Sequence, residues 1–227
     1  MKVFVLNAYD DRSEKYKGDS RFELFKPTHY KDITIEKMDE YYFKLFPKDD
    51  FKRKVISCAE GHKSLLKKII DEDLKDVVIL EDDCILDIDK LELAMEMGLK
   101  LDNFTYLGGW MTSLKLYEAK DFQEEKKNDI RKILRHNSVN KIDNEKFKIS
   151  HACCYFIPNK EVAKMVLKNI PHFKKCRAID TEYMGIQKNG LITDFYYPAL
   201  ATLHIKHAKK GFNYASYKLP DGNQQFY

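Results

Sequence analysis

Residues 77–89, with the sequence VVILEDDCILDID, decide the fold. The first four are apolar and predict a buried β-strand. Three acids, Glu81, Asp82 and Asp83, follow directly, and carboxylates at the end of a buried strand are costly unless they have a partner. Because side chains alternate across a strand, we expect Glu81 and Asp83 on one face and Asp82 on the other. Such a pair at the carboxyl edge of a sheet predicts a site for a hard divalent cation that carries a phosphate ligand. The alternative is an ordinary acidic loop after a strand.

Length and composition indicate one sizeable domain. The chain has 227 residues, of which 44% are apolar and 33% are charged, and its net charge is +4. We expect a single catalytic domain over residues 1–227, with a highly charged excursion around 115–146 and a surface tail from about 213. The mild net charge suits an anionic ligand but does not favour a nucleic-acid partner.

The N-terminus and the cysteines favour a cytoplasmic setting. Residues 1–11, MKVFVLNAYDD, reach acids too soon for a signal peptide, and no apolar run is long enough to span a bilayer. The five cysteines are odd in number and lack CxxC spacing. This pattern argues against a disulfide framework and against a zinc site, and it fits a reducing compartment.

Alternating strand and helix patterns predict an α/β fold. Ser57 and Glu60 have the spacing of a capping box, and an apolar stripe with helical period follows them. A helix, a buried strand and an acidic turn in this order are typical of a parallel-type sheet. No glycine-rich phosphate loop is present, which weakens a dinucleotide-binding or kinase interpretation. Further strands are predicted at residues 2–6, 22–25, 104–107, 148–157 and 191–197, and further helices at 91–101 and 160–169.

Polar residues elsewhere in the chain are candidates for the same site. The turn after the first strand contains Asn7, Arg12 and Lys15, and its cations can meet a diphosphate or a base; a solvated charged turn is the alternative. Asp180 lies at a predicted helix start, where it acts either as a plain N-cap or in catalysis.

The C-terminal stretch LHIKHAKKGF, residues 203–212, contributes two histidines and several lysines. A neutral imidazole from His204 or His207 can complete a carboxylate-bound metal site, and Lys210 can neutralise a diphosphate.

Residues 57–86, SCAEGHKSLLKKIIDEDLKDVVILEDDCIL, resemble the core of glycosyltransferase family 25, the lipooligosaccharide and procollagen galactosyltransferase family. That pattern is a serine and a histidine on a helix, followed by a strand that ends in EDD. Three further stretches are similar in the same order: VFVLNAYDDRSEKY at 3–16, ISHACCYFIPNKEVAKMVL at 149–167 and RAIDTEYM at 177–184.

The resemblance implies a GT-A fold, a nucleotide-sugar-binding α/β sandwich with a mixed, mostly parallel central sheet and a DxD-type metal site. It implies transfer of a sugar from a nucleoside-diphosphate sugar, with UDP expected, to a glycan or glycoprotein acceptor, assisted by Mn²⁺ or Mg²⁺. Within that expectation Asp83, Glu81 and His204 bind the metal, and Asp180 is the candidate base of an inverting enzyme. The nucleotide diphosphate contacts Asn7, Arg12, Glu81, Asp82 and Lys210.

Two questions stay open at the level of sequence. The tail from His204 to Phe212 looks more like the H-x-x-G-x-x-K-P-W tail of glycogenin-like transferases, which retain anomeric configuration, whereas family 25 enzymes invert it. The rival functions are a metal-dependent phosphohydrolase or nuclease, which would need further acids such as Asp87 and Asp89, and a nucleotide- or glycan-binding module without turnover.

Overall fold

The structure is a computed structural model of the 227-residue chain. It describes residues 1–8, 10–39, 41, 49–113, 135–144, 147–150, 152–170, 178–191, 193–197, 199–203, 216–218 and 224–226.

The described strands and helices follow in chain order. The strands are β1 (Lys2–Leu6), β2 (Phe22–Phe25), β3 (Val77–Glu81), β4 (Cys84–Leu86), β5 (Phe104–Tyr106), β6 (Trp110–Ser113), β7 (Ser138–Lys141), β8 (Phe147–Ser150), β9 (Cys154–Ile157), β10 (Thr193–Tyr197), β11 (Ala201–Leu203), β12 (Ser216–Lys218) and β13 (Gln224–Phe226). The α-helices are α1 (Asp10–Ser13), α2 (Ile35–Asp39), α3 (Asp49–Asp71), α4 (Ile88–Glu96), α5 (Lys160–Asn169) and α6 (Ile179–Lys188), with 3₁₀ turns at Glu14–Tyr16 and Tyr30–Asp32.

A seven-stranded sheet forms the centre of the molecule, in the order β2-β1-β3-β9-β5-β10-β7. The pairs β1–β2, β1–β3 and β5–β10 are parallel, whereas β9 pairs antiparallel with β3 and β5, and β7 pairs antiparallel with β10. Five of the seven strands therefore run in one direction. This arrangement confirms the predicted α/β fold with a mixed, mostly parallel sheet flanked by helices, and it is consistent with a GT-A-like fold.

Both faces of the sheet are covered, which explains the uninterrupted apolar run in β3. Val77 and Ile79 belong to a core shared with Leu66 and other residues of α3, whereas Val78 and Leu80 belong to a second core on the other face that includes α4. All four β3 side chains in these cores have no exposed surface. A strand buried on both sides needs apolar residues at every position.

The register of β1 against β3 brings two chain segments together at the site. Leu6 lies beside Glu81, so both strands end at the same edge of the sheet. Asn7 follows β1, and Asp82 follows β3. The residues that were predicted to share a site therefore leave the sheet side by side.

The predicted helix start at Ser57 is wrong, because α3 begins at Asp49. A capping serine must lie outside the helix and accept a bond from a backbone N–H. Ser57 is instead buried within α3, and its hydroxyl donates to the Thr28 carbonyl at 2.6 Å. Asp49 and Asp50 supply the acidic first turn that the helix dipole favours.

Other boundaries shift for local reasons. The strand predicted at 148–157 is two strands, β8 and β9, which belong to different sheets. The helix predicted at 91–101 is α4, which begins earlier because the Asp87 carboxylate caps it by accepting from the Lys90 N–H. The Asn159 cap of α5 is confirmed, since its side chain accepts from the N–H groups of Glu161 and Val162.

The excursion and the tail lie only partly within the described residues. The strand β7, from the end of the predicted excursion, pairs with β10 at the edge of the central sheet. In the tail, β12 and β13 pair with each other. Among the described residues, no helix combines the length and the apolar character needed to cross a membrane.

Candidate active site

The three acids at the end of β3, Glu81, Asp82 and Asp83, have two different environments. The strand ends at Glu81, and Asp82 and Asp83 form the turn that leads into β4, so the alternation expected for a strand does not extend to Asp83. Arg12 joins the two aspartates, with its Nη1 3.7 Å from Asp82 Oδ1 and 3.7 Å from Asp83 Oδ2. Glu81 contacts α3 instead. The expected pairing of Glu81 with Asp83 on one face is replaced by an Asp82–Arg12–Asp83 cluster beside Glu81.

Asp82 ties this turn to the segment after β1. Its carboxylate accepts from the Ala8 N–H at 2.7 Å, and its backbone carbonyl accepts from the Lys15 ammonium at 2.7 Å. Asp82 is almost wholly buried, whereas the Asp83 side chain is 26% exposed. Asp82 therefore holds the loop in place, and Asp83 is the aspartate that a ligand in the cleft can reach more readily.

Glu81 ends a buried chain of polar groups. Its Oε1 lies 3.3 Å from Cys58 Sγ and 3.2 Å from His62 Nε2. His62 Nδ1 lies 2.7 Å from the Tyr155 hydroxyl, which lies 2.8 Å from the Tyr183 hydroxyl. Helix α3 supplies the first two of these partners, β9 supplies Tyr155, and α6 supplies Tyr183.

Burial shifts the pKa values of these hydrogen-bonded polar groups. The His62 ring has no exposed surface, and desolvation lowers its pKa to about 4, although the charge of Asp180 opposes the shift. Desolvation raises the pKa of the Cys58 thiol and of the Tyr155 hydroxyl well above their ordinary values. With Glu81 ionised, the neutral imidazole donates from Nε2 and accepts at Nδ1 from Tyr155.

These groups border a cleft of about 510 Å³ at the ends of β1 and β3. That volume lies within the range of small-molecule sites. The walls combine acids with cations and two aromatic rings. The charged and aromatic lining residues include Glu81, Asp82, Asp83, Arg12, Lys26, Lys54, His29 and Tyr30.

Several predicted residues meet at this cleft. Asn7 and Arg12 line it together with Glu81, Asp82 and Asp83. His204, His207 and Lys210 lie outside the described residues.

Asp180 is not among the described residues that line the cleft. Its Oδ1 accepts from the Ala152 N–H at 2.6 Å. The N-cap of α6 is Ala178, so the plain N-cap interpretation of Asp180 is wrong. Because its charge acts on His62 and Cys58, Asp180 lies close to the polar chain behind the cleft.

Sequence reasoning missed the partners of Glu81. Cys58 and His62 are four residues apart on α3, a spacing that places both on one helix face. The available signal was this spacing together with the apolar stripe of the same helix, which shows that the face points towards the sheet. The spacing of the cysteines gave no indication of the Cys58–His62 pair, because no CxxC motif is involved.

The donor atoms of the acidic turn suit a hard cation. Mn²⁺ and Mg²⁺ prefer carboxylate oxygens, and Asp82 and Asp83 supply them beside a cleft that also contains Arg12, Lys26 and Lys54 for phosphate oxygens. Arg12 partly balances the charge of both aspartates from 3.7 Å, and it also lines the cleft.

A family model described as glycosyltransferase family 25 (LPS biosynthesis protein) matches residues 7–182. The chain belongs to glycosyltransferase family 25. This membership confirms the resemblance seen in the sequence, and the matched range includes Asn7, Arg12, the three acids after β3 and Asp180. The chain is thus a glycosyltransferase of glycan biosynthesis, with a sugar donor and a glycan acceptor. The search of curated proteins found no match.

The acids that a phosphohydrolase would need have structural partners. Asp87 caps α4, and Asp89 forms an ion pair with Arg21. These contacts disfavour the hydrolase, and the family membership favours a transferase over both the hydrolase and a module without turnover.

Proposed function

We propose that this glycosyltransferase transfers a hexose or pentose from a UDP-sugar to a glycan or glycoprotein acceptor, with the help of Mn²⁺ or Mg²⁺. The observation that carries the proposal is the cleft at the ends of β1 and β3, which is lined both by Asp82 and Asp83 and by the cationic side chains of Arg12, Lys26 and Lys54. A diphosphate is dianionic, and it is bound best where a cation site and basic side chains meet.

Asp83 is the principal metal ligand in this proposal, with Glu81 and His204 completing the set. Asp83 is the more exposed of the two aspartates that face Arg12. A divalent cation held there supplies Lewis-acid stabilisation of the charge that grows on the diphosphate as the sugar leaves. Glu81 can alternatively accept from the ribose, since its Oε1 is oriented by two donors from α3.

The remaining contacts to the nucleotide sugar are assigned to the segment after β1 and to Lys210. Asn7 lies next to the acidic turn because Asp82 accepts a hydrogen bond from the N–H of Ala8, the residue that follows Asn7. The side-chain amide of Asn7 can therefore contact the nucleotide. Arg12 moves between the aspartates and the diphosphate, and Lys210 neutralises the leaving group.

Asp180 is the proposed general base if the reaction inverts configuration. Its carboxylate lies in the first turn of α6, near His62 and Cys58. In an inverting transfer it would take the proton of the acceptor hydroxyl as that oxygen attacks the anomeric carbon. A retaining reaction would not need this proton transfer in the same step, so the anomeric configuration of the product separates the two cases.

The function is tested with a panel of nucleotide sugars and Mn²⁺, with turnover followed as release of the nucleoside diphosphate. We expect one nucleotide sugar to be hydrolysed slowly in the absence of acceptor. Asp83→Asn should lower this activity at least about 100-fold, because it removes a ligand of the metal that stabilises the charge of the transition state. Asp89→Asn is the matched control, since Asp89 contacts Arg21 and lies outside the cleft lining. Full activity of folded Asp83→Asn with Mn²⁺ would refute the metal assignment.

A cytoplasmic location remains part of the proposal. Its support is that the four cysteines within the described residues, Cys58, Cys84, Cys153 and Cys154, are free thiols. Free buried thiols are typical of proteins from reducing compartments.

A further inference from the structure

Three side chains of different chemistry converge behind the acidic turn. Cys58 and His62 come from one face of α3, and Glu81 comes from the end of β3. The Cys58 Sγ, a ring nitrogen of His62 and a carboxylate oxygen of Glu81 all lie within 4.8 Å of one another. The Glu81 Oε1 is 3.2 Å from His62 Nε2 and 3.3 Å from Cys58 Sγ.

The two separations from the Glu81 oxygen are close to the edges of a tetrahedral metal site. Zinc binds nitrogen and oxygen at about 2.0–2.2 Å and sulfur at about 2.3 Å, so neighbouring ligand atoms around it lie roughly 3.2–3.6 Å apart. Both distances from the Glu81 oxygen fall at the short end of this range. A metal can therefore enter after a small movement of the Cys58 and Glu81 side chains.

We propose that Cys58, His62 and Glu81 form a binding site for Zn²⁺, distinct from the Asp82–Asp83 turn, with its fourth position open to the cleft. One sulfur, one nitrogen and one oxygen are a donor set for a borderline cation, whereas Mn²⁺ and Mg²⁺ prefer oxygen donors. Three protein ligands and one open position are the arrangement of zinc sites that bind a further small ligand.

The surroundings of His62 support this assignment. A metal-binding histidine is usually oriented by a hydrogen bond from its other ring nitrogen. Here Tyr155 lies 2.7 Å from His62 Nδ1, and either hydroxyl of the Tyr155–Tyr183 pair can be the donor between them. With zinc on Nε2, the proton sits on Nδ1 and is donated to Tyr155, which then donates to Tyr183.

Charge balance makes the site suitable for a divalent cation. Binding replaces the S–H bond of Cys58 by a zinc–sulfur bond and releases the thiol proton to solvent. Zn²⁺ with one thiolate, one carboxylate and a neutral imidazole has no net charge, so the buried wall of the cleft carries no uncompensated ion.

Access to the site comes from the cleft. Cys58 and Glu81 both line it, whereas His62 has no exposed surface. Because Glu81 is common to this site and to the proposed donor site, zinc bound here occupies an oxygen next to the Asp82–Asp83 turn. The proposal itself does not rest on the identity of the sugar donor or on a metal at Asp83.

The test uses Co²⁺ as a spectroscopic substitute for Zn²⁺ in the full chain under reducing conditions. We expect one equivalent of Co²⁺ to produce a thiolate-to-cobalt charge-transfer band and the visible bands of tetrahedral cobalt, and Zn²⁺ to displace it. Cys58→Ser should remove the charge-transfer band. Tyr155→Phe should keep the band but lower the cobalt affinity about 10- to 100-fold, as expected for loss of a partner that orients a ligand.

Matched variants separate this site from its neighbours. Ser57→Ala alters the adjacent cleft residue, and Cys154→Ala removes another buried thiol; both should keep the band. Asp83→Asn should also keep it while losing Mn²⁺-dependent turnover, so failure of the proposed function and failure of the zinc site give different results. A folded wild-type chain without the band, or a band that persists in Cys58→Ser, would overturn the proposal.

Discussion

Acid should destabilise the protein through His62 before most carboxylates are protonated. The ring is wholly buried, and its pKa is lowered to about 4 by desolvation. In the unfolded chain a histidine titrates near 6.5. Between these values the unfolded state binds more protons than the folded state, so the free energy of unfolding falls as the pH falls.

The size of the effect follows from the difference between the two pKa values. A difference of about 2.5 units corresponds to about 3 kcal/mol when the pH is below both, and about 2 kcal/mol of it is lost between pH 7.5 and pH 5. The contribution is fully present above pH 6.5, which is the unfolded value.

Urea unfolding of the metal-free protein at several pH values between 7.5 and 5 measures how the free energy of unfolding changes with pH, with His62→Gln as the comparison. The variant is less stable at pH 7.5, because the bonds to Tyr155 and Glu81 are perturbed, but its stability should change by about 2 kcal/mol less over the interval. An NMR titration of the histidine ring signals, with His62 assigned by the variant, gives the pKa directly. A His62 pKa of 6 or above, or equal slopes in the two proteins, would show that the ring is not buried in its neutral form.

Substitutions at four further positions test the packing that supports the site. Gly108→Ala should destabilise by about 1–3 kcal/mol, since a Cβ there would lie 2.9 Å from the Ala201 carbonyl oxygen. Gly185→Ala has open space and should stabilise by about 0.5–1 kcal/mol; equal effects at the two glycines would contradict this contrast. Gln187→Leu should cost about 2–4 kcal/mol in thermal unfolding, because the amide bonds both backbone groups of Ile149; a cost below about 1 kcal/mol would argue against those bonds. Asn159→Ala should cost about 1 kcal/mol through loss of the α5 cap, and Asn159→Asp should restore most of it; no restoration would exclude capping as the cause.

The central part of the fold could be predicted because its pattern is local. The apolar run of β3 and the acids that follow it stand next to each other in the sequence, and the short β1 strand ends at Leu6, directly before Asn7. A strand covered on both faces leaves a continuous apolar signal, and parallel neighbours end at the same sheet edge. The strand, the acids and their proximity to Asn7 and Arg12 therefore followed from the sequence.

The environment of Glu81 could not be predicted in the same way. Its partners, Cys58 and His62, come from α3, 23 and 19 residues earlier in the chain, and His62 in turn contacts a hydrogen-bonded tyrosine pair on β9 and α6. Only the packing of these elements places Cys58 beside Glu81. The helix start was missed because Ser57 and Glu60 have capping-box spacing but make tertiary bonds instead, to Thr28 and Tyr41.

The different environments of Glu81 and Asp83 follow from the position at which β3 ends. Alternation predicts faces only while the chain stays extended, and β3 ends at Glu81. The turn that follows directs both Asp82 and Asp83 to Arg12. Side-chain alternation therefore predicts the environment of residues within the strand but not of those in the turn.

Anomalous scattering from crystals grown with Mn²⁺ and UDP shows whether Asp83 binds the metal. We expect a manganese peak within coordination distance of the Asp83 carboxylate, about 2.0–2.3 Å, with the diphosphate in the cleft at the ends of β1 and β3. A nucleotide bound elsewhere, or bound in this cleft with no manganese at Asp83, would contradict this expectation.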